Sequence, residues 1–371
     1  VSGNRNNQTL RTNHGARRIG LVVLVVVVTT AILALVALRH FTSPAYIEKQ
    51  LGIALSPDGS YDIDVGSSSY HPIRRSFVAH DISLVPDTLA EVGDAGKTRV
   101  WFRASSLHVD GIGLSALRRN INFASVRVDS PRVEIFVDRT LPSSTTKKAP
   151  ATLPHVHLKR NERSIRIAAV YITNGDLTYY EKSRGGTRPG AFRFADLSAV
   201  VNNVTNDTTR MDIPCTIEVR TRLADSGLMN ATFEYDFKSR ALDLDYRATV
   251  GKMDALALND LLVDLEGIHV TSGTIDSTSF DFKVKDDVAT GTLRVLYTDV
   301  EFEMLDKNTG EQGIEHHLAG FLSDTRESNP PDDDEPPIVV TIRRVREPEV
   351  SLVKFVWENV REGLLRTLGV Q

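Results

Sequence analysis

Gly93-Asp94-Ala95-Gly96-Lys97-Thr98 carries the residue types of a phosphate-binding loop. A P-loop needs a glycine five positions before its second glycine, and Glu91 stands there. Thr98 to Phe102 reads as a strand, so no helix N-terminus follows to receive a phosphate. The segment is expected to be a hairpin loop. His155-Val156-His157 and the pair His316-His317 offer imidazoles, but no carboxylate or thiol stands beside them at a recognised ligand spacing. Solvated histidines are expected. The run Asp332 to Glu335 lacks the spacing of an EF-hand and reads as a solvated acidic loop. Neither a nucleophile elbow, a HExxH helix nor a Ser/Lys signature occurs, so no catalytic residue, metal site or cofactor is nominated. Cys215 is the only cysteine, which excludes an internal disulfide framework. The sequons at Asn203 and Asn230 matter only on a eukaryotic secretory route.

The elements that must position any site begin with a run of apolar or small residues from Ile19 to Leu38. About 20 such residues match the hydrocarbon thickness of a bilayer, so 19–39 is expected to be a transmembrane helix. A cleaved signal peptide has an apolar region of about 7–15 residues, shorter than this one. Arg11, Arg17 and Arg18 precede the run, against Arg39 and His40 after it. The positive-inside rule then makes residues 1–18 a cytoplasmic tail and exports the rest. A net charge of −4, from 44 basic and 48 acidic residues, gives no field that would recruit nucleic acid.

Beyond Phe41 apolar and polar residues alternate with the period of strands that bury one face. Ile217, Val219 and Leu223 oppose Glu218, Arg220 and Arg222; Phe233, Tyr235 and Phe237 oppose Glu234, Asp236 and Lys238. Phe280, Phe282 and Val284 oppose Asp281, Lys283 and Lys285. Short turn signals at Asp225-Ser226-Gly227, Lys238-Ser239-Arg240 and Asp286-Asp287 favour hairpins, hence an antiparallel sheet. Helices are expected near Leu114 to Arg119, near Met253 to Leu265, and from Val350 to Leu368. The expected fold is therefore mainly β: a long, curved antiparallel sheet behind the transmembrane helix, with a few short helices and an amphipathic C-terminal one. Its units are a β unit at 40–138, a linker or mobile loop at 139–164, and the main sheet at 165–306. A loop at 307–336 and a last strand with the C-terminal helix at 337–371 complete the chain.

About a dozen one-sided strands present well over ~1,000 Å² of apolar face, more than soluble monomers leave exposed. Two or three helices shield only part of it. The sheet is expected to bend around its own apolar side, giving either a packed core or a groove. The apolar sides of the strands nominate Val133, Ile135, Val219, Phe233, Tyr235, Leu244, Phe282, Val295 and Phe302 as groove lining. In the C-terminal helix, Leu352, Phe355, Val356, Val360, Leu364 and Leu368 recur at helical spacing, which suits a cap on the sheet or a docking helix.

The stretch from Pro44 to Phe136 resembles the AsmA-like family of bacterial envelope proteins. The matching phrases are Pro44-Ala45-Tyr46-Ile47-Glu48-Lys49-Gln50-Leu51-Gly52, Gly113-Leu114-Ser115-Ala116-Leu117 and Val126-Arg127-Val128-Asp129-Ser130-Pro131-Arg132-Val133. The last looks like the family's strand, proline, strand step. Val170 to Leu177 and Ile268 to Ile275 are similar to each other and to the family's repeated turn. The resemblance implies a single-pass inner-membrane protein whose periplasmic apolar groove holds phospholipid acyl chains. It would assist lipid transport or outer-membrane assembly. The alternative is a non-enzymatic module with a closed β core that binds an envelope assembly partner. A dozen strands at about 4.8 Å each reach roughly 60 Å, only part of a typical envelope gap.

Overall fold

The computed structural model describes residues 61–71, 73–86, 98–112, 120–141, 151–161, 163–182, 188–304, 328–330, 334–367 and 369. The apolar run 19–39, the phrase Pro44 to Gly52, the loop Gly93 to Lys97, the helix expected near Leu114 to Arg119, and His316, His317, Asp332 and Asp333 lie outside them. Among the described residues no helix is long and apolar enough to cross a membrane.

Alternation produces the strands it should. The first group is β1 (Tyr61–His71), β2 (Ser76–Pro86), β3 (Thr98–Asp110), β4 (Ile121–Asp129) and β5 (Arg132–Asp138). Helix α1 (Pro154–Lys159) precedes β6 (Ile165–Lys182), β7 (Gly190–Thr205), β8 (Cys215–Leu223), β9 (Gly227–Tyr235) and β10 (Leu244–Val250). The short β11 (Met253–Asp254), a 3₁₀ turn (Ala255–Leu258) and α2 (Asn259–Glu266) lead into β12 (Ile268–Lys285) and β13 (Val288–Met304). β14 (Val340–Val345) and α3 (Leu352–Thr367) are the last described elements. All fourteen strands join one sheet in the order β1-β2-β3-β4-β6-β7-β8-β9-β10-β12-β13-β14, with β5 between β3 and β6 and β11 against β12. β4 and β5 occupy one position in it, interrupted at Ser130-Pro131.

The purely antiparallel expectation is corrected here. β4 and β5 run parallel to β6, with Val128 beside Ile172 and Ile135 beside Tyr179. Parallel neighbours need a crossover of a dozen or more residues, because the chain must return to the starting end. Residues 139–164, expected to be a linker, supply it and carry α1. The sheet is therefore continuous between the units 40–138 and 165–306. Part of the stretch expected as a loop before β14 is anchored to the sheet. Asn329 is fully buried, donates from Nδ2 to the Val295 carbonyl at 2.6 Å, and accepts from the Ile338 amide at 2.8 Å.

A line of irregular residues creases the sheet. Asp81, Ser130, Asn174 and Asp196 have φ of 54°, 50°, 53° and 52°. They neighbour one another through the registers His80↔Ser106↔Asp129↔Thr173 and Gly175↔Leu197. The pairing shifts register at Ile172/Gly175/Leu177 and at Ala195/Ser198. Asn and Asp tolerate positive φ better than other side chains, and a bulge bends its strand and tightens the local twist. Aligned across neighbouring strands, these bends turn the sheet as a unit. A similar device occurs on β12 and β13, where Gly273 has φ 111° and Asp299 φ 50°. A Cβ on Gly273 would lie 2.5 Å from the Cα of Val300, so only glycine fits. The two phrases that resemble each other in sequence, Val170 to Leu177 and Ile268 to Ile275, each carry one of these bends.

The main core runs from Val65 and Phe77 through Phe123, Ile167 and Tyr235 to Phe282, Ile342 and Phe355. A second cluster holds Val270, Leu293, Val295 and Tyr297; a third holds Val100, Ile135 and Val137.

Candidate functional site

Residues directly opposite in a sheet point to the same face, so the registers define the apolar side row by row. One row runs Val201, Ile217, Phe233, Tyr246, Phe282 across β7 to β12. The next runs Ala199, Val219, Ala231, Ala248, Phe280, and a third runs Thr221, Met229, Val250, Thr278. The middle row is mostly alanine. At Ala199, Ala231 and Ala248 this row is lower than Ile217, Phe233 and Tyr246 beside it, a shallow furrow interrupted at Val219.

Packing over this face is uneven. Beyond β10 it is closed by helices. Phe355 on α3 is fully buried in the main core, and Gly363 brings the helix against the sheet. A Cβ there would sit 2.9 Å from Leu293 and Ile342. Of the stripe that sequence spacing nominates, Phe355 is buried while Leu352, Val356, Val360 and Leu364 are half-buried and Leu368 lies outside the described residues; the other buried residues of α3 are Asn359, Gly363 and Thr367. Close approach at a glycine rotates the helix. The aliphatic residues flank the contact instead, Leu352 and Val356 against the main core and Val360 and Leu364 against the second cluster. Trp357 reaches across to Phe192 on β7, ring centroids 6.2 Å apart, and α2 packs on both β7 and β12. The two helices thus bridge the sides of the bent sheet. Over β6 to β9, Ile172, Ile217, Val219 and Met229 remain half-buried and belong to none of the three clusters.

The nine expected lining residues separate accordingly. Tyr235, Leu244 and Phe282 are core residues, with Phe233 packed against them; Phe233 and Phe282 both stack on Tyr246. Val295 sits in the second cluster beside Phe302, and Ile135 in the third beside Val133. Val219 alone lies in the half-covered stretch. Ile172, Ile217 and Met229 were not nominated, although the alternation that marks Val219 also marks Ile217. The alanine floor carries no such signal.

The apolar side also buries polar groups, among them Thr221, Tyr246 and Thr278 in its rows and Asn359 on α3. His155, expected in solvent, is fully buried at the end of the face, its Nδ1 2.6 Å from the Tyr235 hydroxyl. Burial, helped by the nearby Lys159 ammonium, depresses its pKa to about 4, so the ring is neutral. Desolvation alone pushes the Cys215 thiol up to about 12, which leaves it inert. Arg344 binds Glu358 and Glu362 of α3 at 3.1 and 2.9 Å. On the opposite face Asp129 is held below the usual carboxylate range, chiefly by the Thr173 hydroxyl. Asp243 is also lowered: burial opposes this, but Lys285 and the Asp286 amide outweigh it. These carboxylates are committed to structural bonds. Among the described residues no group of three or more His, Cys, Asp or Glu could hold a metal ion. A depression of about 540 Å³, lined among others by Asn230, Arg247, Asp281, Arg294 and Val339, opens on the outer face.

No protein-family model matches this chain, and no curated protein sequence matches it either.

Proposed function

We propose that this protein is a membrane-anchored, AsmA-like envelope protein that holds phospholipid acyl chains on the apolar face of its bent sheet and assists lipid movement or outer-membrane assembly. In this reading residues 19–39 span the inner membrane, the N-terminus is cytoplasmic and the sheet is periplasmic. The observation that carries it is the half-buried apolar stretch of Ile172, Ile217, Val219 and Met229, with Ala199 and Ala231 set among them. An acyl chain needs no directional partner. It gains about 25 cal/mol for each Å² of apolar surface removed from water, and a furrow of methyl and methylene groups supplies that surface. Bridging by α2 and α3 keeps water from the furrow's far side.

The test is lipid transfer. The full chain, reconstituted in phosphatidylcholine vesicles with a trace of fluorescent phospholipid, should speed movement of the label to acceptor vesicles. Val219→Glu, which puts a charge in the furrow, should abolish the acceleration. Equal rates with and without the protein contradict the proposal.

A further inference from the structure

One corner of the outer face combines cations that have no partner among the described residues with half-buried aromatic rings. The registers Arg99↔Phe136↔Tyr180, Trp101↔Glu134↔Thr178 and Arg103↔Arg132↔Asp176 place these residues on one side of three adjacent strand positions. The alternate residues Val100, Ile135 and Tyr179 turn inward to the third apolar cluster. Trp101, Phe136 and Tyr180 are each half-buried, while Arg99, Arg103 and Arg132 are exposed. The three arginine side chains make no hydrogen bond or ion pair among the described residues. This sets them apart from Arg193, Arg344 and Arg346, each of which holds a carboxylate. In the three rows β3 and β5 contribute three arginines and a single carboxylate, Glu134. The Asp176 carboxylate on β6 is already taken by Arg193 at 3.2 Å.

Position adds a second argument. This corner lies at the end of the sheet where β1 begins, since Tyr61 pairs with Pro86, Leu84 with Phe102, and Thr98 with Val137. Among the described residues the chain therefore enters the sheet at the corner's rim. Aromatic rings with polar or cationic neighbours favour the headgroup layer of a bilayer, and arginines close to it are drawn to anionic lipids. We propose that the Arg99, Trp101, Arg103, Arg132, Phe136 and Tyr180 surface is a docking site for an anionic membrane surface. It rests on the reading that 19–39 spans the inner membrane, which leaves 21 residues of chain, 40–60, between that membrane and this rim. Docking here orients the furrow with respect to the bilayer that feeds it.

The test uses the full chain with Trp357→Phe, leaving Trp101 as the only tryptophan. It is reconstituted in vesicles of phosphatidylcholine alone or of equal parts phosphatidylcholine and phosphatidylglycerol. In the mixed vesicles Trp101 emission should shift to the blue and resist acrylamide quenching. Raised salt should remove the protection, as should changing Arg99, Arg103 and Arg132 together to Gln. Salt needs no variant, so misfolding of the triple substitution leaves the test intact. Equal quenching in both vesicle types, or protection that salt leaves unchanged, overturns the proposal. Carbonate extraction reads the anchor separately: a chain stripped by carbonate ends the spanning reading. For such a chain, salt-sensitive flotation with phosphatidylglycerol vesicles still supports the patch, and failure to float overturns it.

Discussion

The Nδ1 atom of His155 lies 2.6 Å from the hydroxyl of Tyr235, eighty residues further along the chain. This bond docks α1, six residues long, against the end of β9, where the His155 ring also meets Phe237. The crossover that makes β6 parallel to β4 and β5 is thus fastened at its midpoint. Lys159 strengthens the attachment by donating to the carbonyls of Lys238 and Ser239.

The His155 pair sets an acid limit on stability. Its folded pKa is about 4, against 6.5 for the free side chain, so the unfolded chain binds the proton more readily. Stability is full above the free value and declines as pH falls from 6.5 towards 4. The total loss is about 3 kcal/mol, at 1.36 kcal/mol per pKa unit. His155→Gln, which keeps a hydrogen-bonding side chain but does not titrate, should flatten the fall in Tm over this interval. Parallel Tm profiles for the two proteins would remove His155 from the account.

Phe282 tests the closed part of the face. It is fully buried and stacks on Tyr246 with centroids 5.1 Å apart. Phe282→Ala should cost about 3–5 kcal/mol in a denaturant titration. A loss under about 1 kcal/mol would mean the site is open to solvent or lipid and not packed.

Gly363 tests how α3 is seated. A Cβ at this position meets Leu293 and Ile342 at 2.9 Å, atoms that are themselves fully buried. Gly363→Val should destabilise by about 1–3 kcal/mol through overpacking. The loosening should also appear as a change in Trp357 fluorescence, because that ring depends on α3 to reach Phe192.

Arg344 tests the electrostatic share of the same contact. Its side chain is 38% exposed and its two carboxylate partners are partly screened, so Arg344→Met should cost only about 1 kcal/mol or less. Added salt should weaken the wild type and leave the variant little changed. A loss of several kcal/mol would show that the pair is shielded from water.

Sequence alternation exposed the strands clearly wherever one face is buried, as at Ile217 to Leu223 and Phe280 to Val284. Turn residues located the hairpins at Asp225 and Asp286-Asp287. The parallel pairing of β4 and β5 with β6 was hidden, because alternation records which face a residue occupies and not the direction of its neighbour. The crease was half visible. Asn174-Gly175 and Ser130-Pro131 stood out as breaks, whereas Asp81 and Asp196 look like ordinary outward carboxylates. His155 was misread for a related reason: a six-residue helix has too few turns to show an apolar stripe, so its burial against Tyr235 and Phe237 left no pattern. The furrow's floor was illegible because Ala199, Ala231 and Ala248 matter only once the registers set them in one row.

The furrow itself is tested most directly by contact. A photo-activatable amino acid at position 219 faces the apolar side between Ala199 and Ala231, while one at position 218 faces outward between Val200 and Thr232. In cells grown with labelled phosphate, irradiation should attach labelled phospholipid to the full chain carrying the probe at 219 and not to the chain carrying it at 218. Label at both positions alike, or at neither, contradicts an acyl-chain site on this face.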